Sequence, residues 1–293
     1  MKLLDRQGNI AADDNGQDKL LDKLYNTSIG RVLTSMLIRP SVSKLCGRIL
    51  DTKFSTIIVP KFCKANNVDL SLYEKQTFDS YNDFFTRKIR VEERPVNPDA
   101  NVLISPSDGK VSVYKIHENG HFLIKHTEYT LEQLLQDKKL AKRDLDGHIY
   151  VIRLTVDDYH RYCYAADGRK SEQRKIAGIL HTVNPVANDV CPIYKMNSRE
   201  YCLIKTERFG TLLQMEVGAL MVGKISNNQQ GLGFVHKGVE KGRFEFGGST
   251  IILLTQKNVV IPDRDLLEHT GSGMETLVKM GEQIGRSANR LDA

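Results

Sequence analysis

The chain has 293 residues, 40% of them hydrophobic and 27% charged, with a formal net charge of +6; this is ordinary usage for a protein that buries a core and far from the apolar-poor composition of disordered chains. The longest uncharged stretch, residues 176–188, carries His181, Asn184 and Pro185 and falls well short of the ~20 apolar residues a spanning helix needs. Residues 1–14 are charged throughout and lack the apolar segment of a secretory signal, so cytosolic synthesis is expected, and five scattered cysteines without a C-x-x-C pair are expected to be reduced thiols.

Positive charge is concentrated near the start: residues 19–64 hold nine Lys and Arg against Asp22 and Asp51. Ile29, Val32, Leu33, Met36 and Leu37 fall at helical spacing, and Val42, Leu45, Cys46, Ile49 and Leu50 repeat it after Pro40. Two short amphipathic helices broken at the proline are expected. Arg31, Arg39, Lys44 and Arg48 flank the stripes, so the pair packs on its own core, lies in the plane of an anionic bilayer at about 1 kcal/mol per basic residue near the surface, or does both. No basic motif interleaved with aromatics is present, and nucleic acid is not expected as a partner.

From Val68 to Arg94 the pattern is helical, with Phe84 and Phe85 followed by Arg87, and Pro95 and Pro98 close it. Beyond Asn101 short apolar runs alternate with turns, predicting strands over 102–104, 110–116, 148–156, 201–205, 211–225, 243–246 and 250–255. One helix, 131–141, is announced by Thr130 with Gln133 three residues on, a capping box. Residues 271–285 are glycine-spaced and are expected to form loops. The fold class expected is α+β, a β-rich core with N-terminal amphipathic helices on its edge, divided into residues 1–68 and 69–293.

Four constellations could carry chemistry. Ser105-Pro106-Ser107-Asp108-Gly109-Lys110 has the composition of a tight turn. Asp157 to Tyr164 holds His160 and Cys163, a spacing compatible with a general acid and base or with two metal ligands; with His181 these still fall short of a recognisable zinc set, and no metal is expected. His181 itself stands before Val183-Asn184-Pro185. In the fourth, Gly247-Gly248-Ser249-Thr250 interrupts a strand pattern that glycine ordinarily weakens. A Gly-Ser bond held in a strained turn can be attacked by the serine's own hydroxyl once a base takes its proton, and Asp108 with His160 or His181 could form a triad-like relay to it.

In their order and wording these motifs resemble the phosphatidylserine decarboxylases, self-processing pyruvoyl enzymes. The resemblance runs from about Asn82 to Gly285, through Asn82-Asp83-Phe84-Phe85-Thr86-Arg87-Lys88, Arg94-Pro95, the Ser105 to Gly109 turn, Asp158-Tyr159-His160-Arg161, Val183-Asn184-Pro185, Met215-Glu216-Val217-Gly218-Ala219 and Phe246-Gly247-Gly248-Ser249-Thr250. It implies a proenzyme in which Ser249 attacks the Gly248 carbonyl, leaving chains 1–248 and 249–293 and a pyruvoyl group in place of Ser249. It further implies a Schiff base between that ketone and the amine of phosphatidylserine, loss of carbon dioxide and release of phosphatidylethanolamine. The family triad is an aspartate, a histidine and the cleaved serine, matched here by Asp108 and Ser249. The second histidine of the family's Y-H-R-x-H pattern is Cys163 in this chain. An imidazole suits the task better than a thiol, so His181 is expected to supply the base, with His160 next and Cys163 third. His160, Phe84, Phe85 and Arg87 are expected near the substrate.

The partners implied are phosphatidylserine in an anionic membrane surface, the 45-residue chain 249–293 held with the 248-residue chain, and a homodimer; the location implied is peripheral, at the cytoplasmic face of the cell membrane. Two rival readings use the same motifs: a pyruvoyl decarboxylase of a soluble amino acid, and a non-catalytic membrane-binding relative that has lost processing.

Overall fold

Six successive buried residues, Ser249–Leu254, run through the centre of the molecule. Their aliphatic run from Ile251 to Leu254 suits a strand covered on both faces, since apolar and polar residues alternate only where one face meets water. The computed structural model describes residues 2–13, 27, 34, 38–117, 119–124, 126–142, 147–183, 191–219, 224–245, 247 and 249–288. The first expected amphipathic stripe, Ile29 to Leu37, lies outside the described residues, apart from Thr34 within that span.

In chain order the strands are β1 (Lys2–Leu4), β2 (Ile10–Asp13), β3 (Val102–Ile104), β4 (Gly109–Lys115), β5 (His121–Ile124), β6 (Thr127–Thr130), β7 (His148–Leu154), β8 (Arg161–Cys163), β9 (Gly168–Lys170), β10 (Arg174–Ile176), β11 (Arg199–Lys205), β12 (Thr211–Gly218), β13 (Lys224–Asn227), β14 (Gly233–Val235), β15 (Glu240–Glu245), β16 (Ser249–Leu254), β17 (Val260–Pro262), β18 (Glu275–Val278) and β19 (Gln283–Ser287). The helices are α1 (Pro40–Leu50), α2 (Ile58–Ala65), α3 (Tyr81–Phe85), α4 (Leu131–Leu135), α5 (Lys138–Ala141), α6 (Ile193–Met196) and α7 (Arg264–Gly271). An 11-stranded sheet runs β14-β9-β11-β12-β16-β7-β4-β18-β1-β2, with β10 also on β11; a 3-stranded sheet, β13-β15-β8, carries the His160 segment. Strand β16 lies between β12 and β7, with Ser249 opposite Gly218 on one side and Leu154 on the other.

Three local expectations are corrected. Residues 2–13, in the region expected to be helical, form β1 and β2, and β1 extends the large sheet by pairing in parallel with β18. Residues 131–141 form two helices, because Gln136 adopts a left-handed conformation (φ 47°) at the end of α4 and the Asp137 side chain then caps α5. The stretch 271–285 holds β18 and the start of β19: Thr276, Leu277 and Val278 pair with β4, and left-handed turns at Gly273 and Gly281 mark the interruptions.

The second amphipathic helix is present as α1. With the 3-10 turn Lys53–Ile57 and α2 it forms a layer whose inner side, Leu50, Val59, Phe62 and Cys63, packs on Tyr81, Phe84 and Phe85 of α3. Its outer side leaves Leu45, Ile49, Phe54, Ile57 and Ile58 exposed, Phe54 at 83%.

Candidate active site

Ser249 opens β16 and is 0% exposed. The residue two before it, Gly247, has φ 115°, a conformation that a side chain would strain; Phe246 and Gly248 lie outside the described residues.

The ring facing the serine belongs to His160, 1% exposed, whose Nδ1 lies 3.5 Å from Ser249 Oγ. Its other nitrogen, Nε2, is 2.9 Å from the Thr155 carbonyl oxygen. A carbonyl only accepts, so Nε2 carries the proton and Nδ1 presents a lone pair to the hydroxyl. The 3.5 Å separation is long for a hydrogen bond, as catalytic contacts in resting sites often are. Phe85 stacks on the imidazole with centroids 4.1 Å apart. Burial, reinforced by the charge of Arg87, pushes the His160 pKa down to about 3, so the ring is a neutral acceptor at physiological pH.

The Thr155 carbonyl is held by a turn. Asp158 Oδ2 accepts from Thr155 N at 2.6 Å and Thr155 Oγ1 at 3.0 Å, and the Thr155 carbonyl accepts from Asp158 N at 3.0 Å. These contacts could have been suspected only from the nearness of Asp158 to His160 in sequence.

The triad-like relay through Asp108 is not what the structure forms. The Asp108 carboxylate accepts from Arg94 Nε at 2.7 Å, Arg94 Nη2 at 2.5 Å and Met280 N at 2.9 Å. Both imidazole nitrogens of His160 already face other partners, and Thr155 occupies the orienting position a triad gives to the aspartate. Gly109 brings this turn against β7, where a Cβ would meet Arg153 O at 2.8 Å. Arg94 stood in the motif Arg94-Pro95, but nothing in the spacing joined it to Asp108.

Cys163 packs with Val102 and Ile104, and burial pushes its thiol up to about 12, which keeps it protonated at neutral pH. The backbone of His181 exchanges hydrogen bonds with the Asn197 side chain, which also donates to Gly218 O, the residue opposite Ser249. The His181 backbone is thus tied through Asn197 to β12, the strand beside β16; Asn184 and Pro185 lie outside the described residues.

Phe84 and Phe85 are fully buried. Arg87 is buried too: its guanidinium lies over the rings of Tyr73 at 4.6 Å and Phe84 at 4.7 Å and makes long bonds to the carbonyls of Phe84 and Asp157. No carboxylate pairs with it among the described residues, and its Nε has no partner.

A buried hydroxyl facing an unprotonated imidazole nitrogen can be deprotonated and made nucleophilic. The family model described as phosphatidylserine decarboxylase matches residues 81–286. The chain is 43% identical over 274 residues to phosphatidylserine decarboxylase proenzyme 2 of Clostridium acetobutylicum, covering 93% of this chain and 92% of that one. It is 38% identical to the proenzyme of Clostridium botulinum, with coverage of 91% and 92%, and 36% identical to that of Fusobacterium nucleatum, with coverage of 97% and 96%. On its matched length and the order of its motifs, the chain belongs to the phosphatidylserine decarboxylase family.

Proposed function

We propose that this protein is a self-processing proenzyme that converts phosphatidylserine to phosphatidylethanolamine, with His160 as the base that starts the processing. The observation that carries this reading is the approach of His160 Nδ1 to 3.5 Å from the buried Ser249 Oγ, two residues after the left-handed Gly247. His160 takes the hydroxyl proton, Oγ bonds to the Gly248 carbonyl carbon, and the bond from that carbon to the Ser249 nitrogen breaks as the nitrogen takes the proton back. Loss of the Ser249 Cα proton then expels the Gly248 carboxylate from Cβ. Water hydrolyses the resulting enamine, through its imine form, to a ketone and ammonia, which leaves a pyruvoyl group at position 249.

The residues present fit the formation of that group: a serine, a glycine-rich neighbour and a neutral imidazole, all enclosed. The group supplies an electron sink for breaking the bond between a carbon and its carboxylate. His160 remains beside position 249, placed to move protons there. Phe85 and neighbouring side chains exclude water, and the Arg87 guanidinium, with hydrogen-bonding capacity to spare, is assigned to the anionic part of the substrate.

Membrane contact is assigned to the outer face of α1 and α2. Leu45, Ile49, Phe54, Ile57 and Ile58 offer apolar area, and Arg48, Lys53, Lys61 and Lys64 are exposed among them, matching an anionic cytoplasmic leaflet. A soluble amino acid substrate would give this surface no role.

Intact mass measurement with reductive trapping by phosphatidylserine tests the reading. Two chains, 1–248 and 249–293, are expected, the second lacking a free amine and gaining the mass of the trapped lipid. A full-length chain that persists and releases no phosphatidylethanolamine would overturn it.

A further inference from the structure

Lys110 follows Asp108-Gly109 on β4, and its side chain is 6% exposed. It stands opposite Arg153 of β7, so its side chain shares a sheet face with Arg153 and extends toward the end of β7. There Nζ lies 2.5 Å from Thr155 Oγ1 and 2.6 Å from Asp158 Oδ2. The donors and acceptors balance: Lys110 donates to the Thr155 hydroxyl, that hydroxyl donates to Asp158, and Asp158 also accepts from Lys110 and from the Thr155 N–H.

We propose that Lys110 is a positioning residue for self-cleavage: by clamping Thr155 and Asp158 it fixes the Thr155 carbonyl on His160 Nε2 and thereby leaves Nδ1 open toward Ser249. The inference rests on the reading of His160 as the base. Without the ammonium, Asp158 keeps no cationic partner among the described residues, and the Thr155 hydroxyl and the carboxylate lose the donor that ties them together. The turn loosens, and the imidazole is free to carry its proton on either nitrogen. The charged groups that act on the ring are Arg87 and Lys110, which favour its neutral form, and Asp157, which opposes them. Arg87 comes from the end of the α3 segment, Lys110 from β4 and Asp157 from the turn itself, so Lys110 contributes both geometry and charge.

The test uses the full-length chain with Lys110→Met and Lys110→Arg, and follows cleavage by denaturing electrophoresis from pH 5 to 9. Lys110→Met is expected to slow cleavage by about tenfold or more, since a misdirected base forfeits part of a contribution of about a hundredfold or more. Because Lys110 favours the neutral ring, its loss should also move any acid-side fall in rate to higher pH. Lys110→Arg, which keeps charge and donors, is expected to recover most of the rate. Ring-nitrogen chemical shifts of His160 in a Ser249→Ala background supply a readout independent of cleavage: one Nε2-protonated tautomer is expected, becoming a mixture when Lys110→Met is added.

A Lys110→Met chain that cleaves at the unsubstituted rate with the same pH profile and a single tautomer overturns the proposal. If Lys110→Met does not fold, Thr155→Val, which removes only the clamped hydroxyl, must itself slow cleavage and mix the tautomers; normal behaviour there overturns it equally. Should the unsubstituted chain never cleave, the proposed function fails, while the tautomer measurement still decides the role of Lys110.

Discussion

Around Ser249 the chain buries charge, whereas on α1 and α2 it exposes apolar side chains. On the sheet face shared by Ser249 and Gly218, Glu216 is fully buried and bonded at 2.6 Å to Lys241, which also bonds Asn227 at 2.9 Å. On the opposite face Arg153 pairs with Glu275 at 2.6 Å, next to Lys110 with Asp158. In the helical layer the inner aromatics are packed, yet Phe54 and Ile57 point outward. Enclosed ion pairs add little net stability, because desolvation offsets their attraction, but they tolerate no missing partner. Exposed apolar residues contribute little to folding either and are free to serve a surface. Both regions therefore keep residues that stability alone does not explain.

The sharpest way to break the contrast is at its centre. Ser249→Ala is expected to abolish cleavage, leaving one full-length band after prolonged incubation; a second band would place the cut elsewhere. His160→Ala should slow cleavage by about a hundredfold to ten-thousandfold, the range for loss of a general base, with a much smaller loss for His181→Ala. Equal losses would show that both rings share the proton transfer.

Removing one member of a buried pair comes next. Lys241→Met should cost about 3–5 kcal/mol in urea unfolding, most of it regained in the double variant Lys241→Met with Glu216→Leu. In contrast, Phe54→Ser with Ile57→Ser should leave unfolding within about 0.5 kcal/mol and weaken binding to anionic vesicles by about tenfold or more in a sedimentation assay. A variant pair that unfolds easily but binds vesicles normally would make this face part of the core.

The last expectation is a dependence on pH. The His160 pKa is about 3 in the folded chain against 6.5 for the free side chain, so the folded state binds fewer protons between those values. Its contribution to stability is complete above about pH 6.5 and declines as the pH falls toward 3. Thermal melting of Ser249→Ala should show that decline, and adding His160→Leu should reduce its slope.

The elements read from the sequence were those with local causes. The alternating and continuous apolar runs located β3, β4, β7, β11, β12, β15 and β16, because side-chain period is a property of the strand itself. The Thr130 cap on Gln133 N, at 3.2 Å, is local as well. Residues 2–13 offered too short a pattern, and β1 exists because β18 supplies its hydrogen bonds 272 residues away in the chain at Leu3 and Glu275. The glycine-spaced residues 271–285 hid two strands for the same reason.

The site divides along the same line. Gly247, Gly248 and Ser249 stood out in the sequence because glycines in a strand pattern conflict with strand propensity, a conflict visible without neighbours. Which imidazole meets the hydroxyl depended on where the strand end of β7 and the turn after it place His160. The ring of His160, the second choice after His181, is held by the Thr155 carbonyl and not by Asp108, and backbone carbonyls leave no mark on a sequence. The Asp108 carboxylate went to Arg94, fourteen residues earlier and in another motif.

The sequence by itself determined the β-rich composition of the main domain, the Gly-Ser pair and the set of acids and imidazoles that could serve it, since these follow from residue type and period. Tertiary structure alone decided that His160 faces Ser249, that Thr155 and Asp158 orient it, and that Lys110 closes their turn. The physical reason is that tautomer, pKa and hydrogen-bond direction are set by distances of about 3 Å between groups far apart in the chain.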